Sequence, residues 1–200
     1  MKYLVVSASQ RFQSQSAKVA EFITREIKTK QLAEAEHLEL CGFNLPFWDG
    51  EQQNKGADWQ RIEAKVTAAD ALVLITPEWG GMATPLLKNF LLMCDSQHTA
   101  HKPVLLVAVV SGISGAYPIS ELRMNAMKNN KLVAVPDHLI VRDVEKMLNP
   151  ECDSIRDARL RERIGYSLHM LAQYAAALAQ IRFAHRDAPF PKQQEYCYGM

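Results

Sequence analysis

Residues 2–20 read KYLVVSASQRFQSQSAKVA, and three textures follow one another in that order. Tyr3, Leu4, Val5 and Val6 make a run too short and too β-branched for a helix, so it is a strand. Residues 7–16 are polar, rich in serine and glutamine, with one arginine. Then Ala17, Val19, Ala20, Phe22, Ile23 and Ile27 recur at helical spacing, while Lys18, Glu21, Arg25, Glu26 and Lys28 take the opposite face. A strand, a polar loop and a helix start therefore stand in series. A helix start exposes unpaired backbone N–H groups and the positive end of the helix dipole, so hydroxyls and an arginine beside it suit a phosphate.

The loop has no Gly-x-x-x-x-Gly-Lys and no glycine at all, which excludes a Walker loop and a dinucleotide fingerprint. Ser14 or Ser16 equally suits a plain helix cap, and that reading stays open from the residues alone.

The same alternation continues along the chain. Residues 35–40 form a second strand, 71–76 a third and 103–110 a fourth; the last two are apolar throughout, as central parallel strands covered on both faces are. Residues 131–135 and 139–141 supply a last strand in two pieces. Helices are expected around Ile62 and Val66, from Leu86 to Met93, over 120–130, and over 155–182. Pro189 and Pro191 leave an irregular tail. Strands alternating with helices argue a doubly wound α/β sheet of five parallel strands, order 2-1-3-4-5, with helices on both faces and right-handed crossovers. One domain over 1–185 and a tail over 186–200 account for the chain.

Of 200 residues, 48% are hydrophobic and 22% charged, with a formal net charge of +1. That balance provides no field for nucleic acid, nor the acidity of a carrier that docks on basic partners. Cys41, Cys94, Cys152 and Cys197 stand far apart, without zinc spacing or a disulfide framework, which fits reduced thiols. No signal segment is visible, and the longest apolar run, 104–110, is far short of the ~20 residues of a membrane span. A cytoplasmic protein without membrane or nucleic-acid partners is expected.

Ligands of open parallel sheets bind beyond the carboxyl ends of the strands, where strand order reverses. Three unusual loops, 7–16, 77–84 and 111–117, follow strands one, three and four and should converge there. In these loops the chain resembles the NADPH-dependent FMN reductase family of flavodoxin-like quinone, chromate and azo-dye reductases. The family's first loop, Gly-Ser-x-Arg-x-x-Ser-x-Asn, is followed by Ala8-Ser9-Gln10-Arg11-Phe12-Gln13-Ser14-Gln15-Ser16. Its second, Pro-Glu-Tyr-Asn-x-Ser-x-Pro-Gly-x-Leu-Lys-Asn, is matched without a gap from Pro77 to Asn89, keeping Pro77, Glu78, Leu87, Lys88 and Asn89. Trp79, Gly80 and Met82 replace the tyrosine, asparagine and serine.

The resemblance implies bound FMN, with NADPH or NADH as co-substrate and a small-molecule electron acceptor reduced in ping-pong fashion by a homodimer or homotetramer. It assigns Ser9, Arg11, Ser14, Gln15 and Ser16 to the first loop's share of the cofactor, Pro77, Glu78, Trp79, Gly80 and Gly81 to the second's, and Ser111, Gly112, Ser114 and Gly115 to the third's. The flavin would carry the chemistry, so no catalytic side chain and no metal are expected. A flavin-binding electron carrier and a flavin-free regulatory relative are the rival readings. Lys88 and Asn89 read as a solvated face with a local hydrogen bond, His98 and His101 as surface residues, and Cys94 as a small buried hydrophobe.

Overall fold

The computed structural model describes residues 1–152 and 154–191. Five strands, β1 (Lys2–Ser7), β2 (Glu34–Glu39), β3 (Ala71–Pro77), β4 (Pro103–Val109) and β5 (Val133–Val141), form one sheet in the order β2-β1-β3-β4-β5. Every neighbouring pair is parallel. The helices are α1 (Gln15–Thr29), α2 (Trp59–Ala68), α3 (Pro85–Met93), the four-residue α4 (Ser96–Thr99), α5 (Ala116–Asn125) and α6 (Ile155–Asp187).

Side-chain alternation sorts them into two layers. Tyr3, Val5, Val73, Ile75, Leu105 and Val107 face α1 and α6, where Val19, Ile23, Ile27, Ile164 and Leu168 close a first core. Leu4, Val6, Leu72, Leu74, Val104 and Leu106 face α2, α3 and α5, packing on Ile62, Val66, Leu87, Phe90 and Leu122. β3 and β4 are buried at every residue, which is why their sequences show no polar alternation. At the edge, β2 alternates, with Glu34, Glu36 and Leu38 in turn exposed, exposed and buried on one face and half-buried residues between.

The last strand is continuous, unlike the two pieces its sequence suggests. Val104 pairs with Ala134 but Leu106 with His138, so β5 carries extra residues around Pro136. Proline has no N–H for the ladder and the strand bulges there. Arg123 of α5 collects the carbonyls this leaves, donating to Val135, Pro136 and Asp137 at 2.6, 2.9 and 3.2 Å.

Two other boundaries differ from expectation. α5 starts at Ala116, four residues before Ser120, because Gly115 turns the chain with a φ of +107°. α6 runs to Asp187, past both Arg182 and the boundary at 185, although only residues up to Ala175 on it are buried. The remainder of the expected tail, 192–200, with Cys197, lies outside the described residues.

Asn89 is a correction. It is 6% exposed rather than solvated: its Oδ1 accepts from Trp48 N and its Nδ2 donates to Pro46 O, both at 2.9 Å, clamping the loop after β2 onto α3. Asn89→Ala strands both backbone groups in a buried place, and should lower unfolding free energy by about 1–3 kcal/mol, read as a lower urea midpoint at unchanged slope.

Candidate functional site

The strand order reverses between β1 and β3, and the loops after these strands meet beyond their carboxyl ends. The contact is built from backbone and two threonines. Ala8 N donates to Ile75 O at 2.9 Å, and the Thr84 hydroxyl donates to Ala8 O at 2.6 Å while accepting from Leu87 N, at 3.3 Å, as cap of α3. Thr84 N in turn donates to Thr76 Oγ1 at 3.1 Å. The third loop joins the second: Glu78 N donates to Val109 O at 3.1 Å and the Ser114 hydroxyl to Glu78 Oε1 at 2.8 Å. Among the described residues no hydrogen bond or ring contact joins the first loop to the third directly. Loop two is the hub.

In the first loop, Ser9 is 4% exposed and its hydroxyl accepts from Arg11 N at 3.1 Å, making a tight turn. Gln13 takes a left-handed φ of +51° and delivers the chain to Ser14, whose Oγ accepts from Ala17 N at 3.1 Å as the N-cap of α1. The cap reading of Ser14 is thus correct, and its hydroxyl proton remains available to a ligand. Gln15 and Ser16 open the helix, and neither backbone N–H has an acceptor among the described residues. Ser16 is 1% exposed, yet its Oγ has no partner. A buried hydroxyl thus stands beside two open N–H groups at the positive end of a fifteen-residue helix, a combination whose chemistry favours an anion.

Arg11 pairs with no carboxylate among the described residues. Its guanidinium lies over the Trp79 ring, 5.3 Å from the centroid, bridging loops one and two. Beneath the first loop the Ser7 hydroxyl meets His37 Nε2 at 2.8 Å, and burial pushes that imidazole below its ordinary pKa against the opposing pull of Glu39 and Glu21. The Cys41 thiol, beside Arg11 O at 3.7 Å, is pushed up by burial and by Glu39.

In the second loop, Trp79 and Met82 exchange both backbone hydrogen bonds, at 3.2 and 3.1 Å, around Gly80 (φ +58°) and Gly81 (φ +76°). Positive φ at both central residues is a type I′ turn, which explains why two glycines stand there. The N–H groups of Trp79 and Met82 are consumed by the turn; those of Gly80 and Gly81 have no acceptor among the described residues. Glu78 keeps one oxygen on Ser114, and its Oε2 is buried without a partner. Pro77 ends β3 and sets this acid at the strand's carboxyl edge.

In the third loop Ser111, Gly112 and Ser114 are exposed, and Arg142 Nε holds Ser114 O at 2.8 Å. Sequence reasoning missed that arginine, and also Glu121. Glu121 of α5 takes Ala83 N at 2.7 Å and the Lys88 ammonium at 2.9 Å, so Lys88 is half-buried and paired across elements rather than solvated. Burial alone raises the Glu121 carboxyl; Lys88 and the Ala83 N–H outweigh it and leave it below the usual range. The Cys94 thiol, pushed up to about 12 by burial, remains a buried hydrophobe. Among the described residues no group of three His, Cys, Asp or Glu is placed to hold a metal ion.

The family described as NADPH-dependent FMN reductase matches residues 1–146, well over half of the chain. The chain belongs to that family. Being an NADPH-dependent FMN reductase family member, it is an NAD(P)H-dependent FMN oxidoreductase. An NADPH azoreductase of Bacillus sp. (strain OY1-2) is 32% identical over 116 residues, spanning 58% of this chain and 62% of that relative's length. An FMN-dependent NADPH-azoreductase of Staphylococcus aureus (strain USA300) is 28% identical over 156 residues, 76% of this chain and 82% of the relative. Among solved structures, an oxidoreductase from Corynebacterium diphtheriae superposes with a TM-score of 0.68 at 18% identity, covering 88% of this chain and 97% of that one, which supports the fold.

Gly115 separates the reductase loop's shape from its sequence. A Cβ there would collide with Ile140 Cγ2 at φ +107°, whereas one on Gly112 would meet nothing within 4 Å. Gly115→Ala should therefore cost about 2 kcal/mol or more, by thermal or urea unfolding, and Gly112→Ala close to nothing.

Proposed function

We propose that this reductase holds FMN across the three loops, with the phosphate at the start of α1 and the ring against loops two and three, and reduces a flat aromatic acceptor such as a quinone or an azo compound. The observation that carries the reading is that, of the four buried side-chain polar atoms without partners among the described residues (Glu39 Oε1 and Ser167 Oγ among them), Ser16 Oγ and Glu78 Oε2 fall at the first and second loops. Leaving such atoms unpaired costs roughly 1–3 kcal/mol each, and a group offering phosphate oxygens to the one and a ring N–H to the other relieves both. The residues present thus fit FMN. When bound, FMN supplies the two-electron chemistry, accepting hydride from NADPH or NADH and giving it up to the acceptor in a second half-reaction.

The chain's own residues hold and position. Ser14 and Ser16 hydroxyls with the Gln15 and Ser16 N–H groups would face the phosphate, and Ser9 fixes the turn that aims them. Arg11, stacked on Trp79, is exposed and unpaired with any acid among the described residues, so its guanidinium would reach the same dianion. Gly80 and Gly81 present backbone N–H groups without Cβ shielding, suited to a ring edge that gains negative charge on reduction. Ser111, Gly112 and Ser114 border the opposite side.

Around this edge each loop exposes apolar surface: Phe12 at 70%, Met82 at 53%, and Ile113 at 86% with Tyr117 at 69%. An apolar rim suits an aromatic acceptor better than a charged one. Leu92 on α3 and Met124 on α5, 62% and 81% exposed, supply apolar area for the homodimer this reading includes. Among the described residues no helix is long and apolar enough to cross a membrane; a cytoplasmic place for the enzyme is part of the same proposal.

Ser16→Ala should weaken FMN about tenfold, the worth of one charge-assisted hydrogen bond, while leaving riboflavin affinity unchanged, both measured by fluorescence quenching. Equal losses for the two flavins would take the phosphate away from α1.

A further inference from the structure

At the opposite edge of the sheet, where the strands begin, lies a cavity of about 620 Å³ that the redox reading does not use. Its walls are the end of α2, the segment from α4 to β4, and the last turns of α6. The volume falls within the range of small-molecule pockets. The charge is what sets it apart: Lys102, Lys131, Arg182 and Arg186 line it with His98, His101 and His185, and among the described residues Asp70 is the one carboxylate in the lining.

Lys102 is 7% exposed. Its ammonium donates to Val66 O and Thr67 O, both at 2.8 Å, closing the carboxyl end of α2. An ammonium carries three protons, and the third has no acceptor among the described residues. Arg182 donates to His101 O at 3.2 Å and Asp70 Oδ1 at 3.3 Å, which leaves other N–H groups of its fork without an acceptor among the described residues. His101 and His185 bring their rings to 4.9 Å between centroids. His101, with φ +61°, and Lys131, with φ +54°, are both non-glycine residues held left-handed, and His101 N donates to Lys131 O at 2.9 Å. Two strained positions thus fix the wall that carries these cations.

The cations raise one another's cost. Burial and then Arg182 push Lys102 down to about 8, against the pull of Asp70 and Cys94. Burial, then His185, Lys131 and Arg182, push His101 down as well. His98 is partly compensated by Glu63, 3.8 Å away, and Arg186 by Asp187 at 2.8 Å. Among the described residues Lys102 and Arg182 share one carboxylate, Asp70, and no acid is among the charged groups that shift His101.

We propose that this cavity is a second ligand site, binding a small molecule through a phosphate or diphosphate group, with Lys102, Arg182 and His101 as its donors. A tetrahedral oxyanion offers acceptors in several directions at once, which is what an ammonium, a guanidinium fork and an imidazolium arranged around one space require. Being at the far edge of the sheet from the three loops, the site acts on stability rather than on the redox step. Binding favours the protonated forms of His101 and Lys102, raises their pKa values and takes up protons. Affinity therefore increases as pH falls.

Pyrophosphate is the probe, titrated into FMN-loaded full-length protein so that the α1 seat is already filled, with chloride at matched ionic strength as control. The expected result is a rise in Tm beyond the chloride control, larger at about pH 6 than at about pH 8 as histidine protonates. Arg182→Gln should weaken pyrophosphate about tenfold or more by calorimetric titration. His101→Asn, which keeps a residue tolerant of left-handed φ, should bind more weakly and lose most of the pH dependence. Ser16→Ala should keep the full response, which separates this cavity from the first loop. No gain over chloride in the wild type, an undiminished response in both Arg182→Gln and His101→Asn, or its loss in Ser16→Ala, would each overturn the site.

Discussion

The Thr84 hydroxyl, fully buried, gives its proton to Ala8 O and receives one from Leu87 N. With that single atom the loop after β1, the loop after β3 and the first turn of α3 are fixed to one another. Thr76 extends the link by accepting from Thr84 N. The arrangement has no slack, because losing either threonine hydroxyl leaves buried backbone polar atoms dry. The first loop can afford to be glycine-free and exposed along residues 10–13 because its root is held this way. The edge proposed for the flavin is thus hydrogen-bonded at its root and exposed at its tip.

The sheet was readable from the chain because burial on two faces and burial on one leave different patterns. The β3 and β4 runs are apolar throughout, whereas β2 alternates, and that contrast alone orders centre and edge. The three site loops were readable for a related reason: they are where serine, glycine and tryptophan interrupt the hydrophobic period. Left-handed φ at Gly80, Gly81 and Gly115 is the physical content behind those glycines.

Long-range polar pairs left no such trace. Asn89 reaches residues more than forty positions away, Glu121 joins α5 to Ala83 and Lys88, and Lys18 donates to Val144 O, Met147 O and Asn149 Oδ1 at 2.7–3.0 Å. On a helical wheel these residues sit among solvated ones, and only the tertiary partner distinguishes them. Arg11 shows the same limit differently: its spacing marks it for the phosphate loop, but no local rule places it over Trp79. The cationic cavity is assembled from four separate stretches, none of them unusual in charge by itself.

The bulge in β5 bears on how this enzyme stays dispersed. An open parallel sheet has two edges, each a row of backbone groups onto which a strand from another molecule could add. At one margin, Pro136 removes a donor, the bulge spoils the spacing, and Arg123 has already claimed three carbonyls in succession. At the other, Glu34 and Glu36 project from β2, the latter engaged by Lys65. A passing β-segment meets a broken ladder at β5 and a charged margin at β2. The same guanidinium that repairs an irregular strand therefore also occupies carbonyls that an added strand at that margin would need.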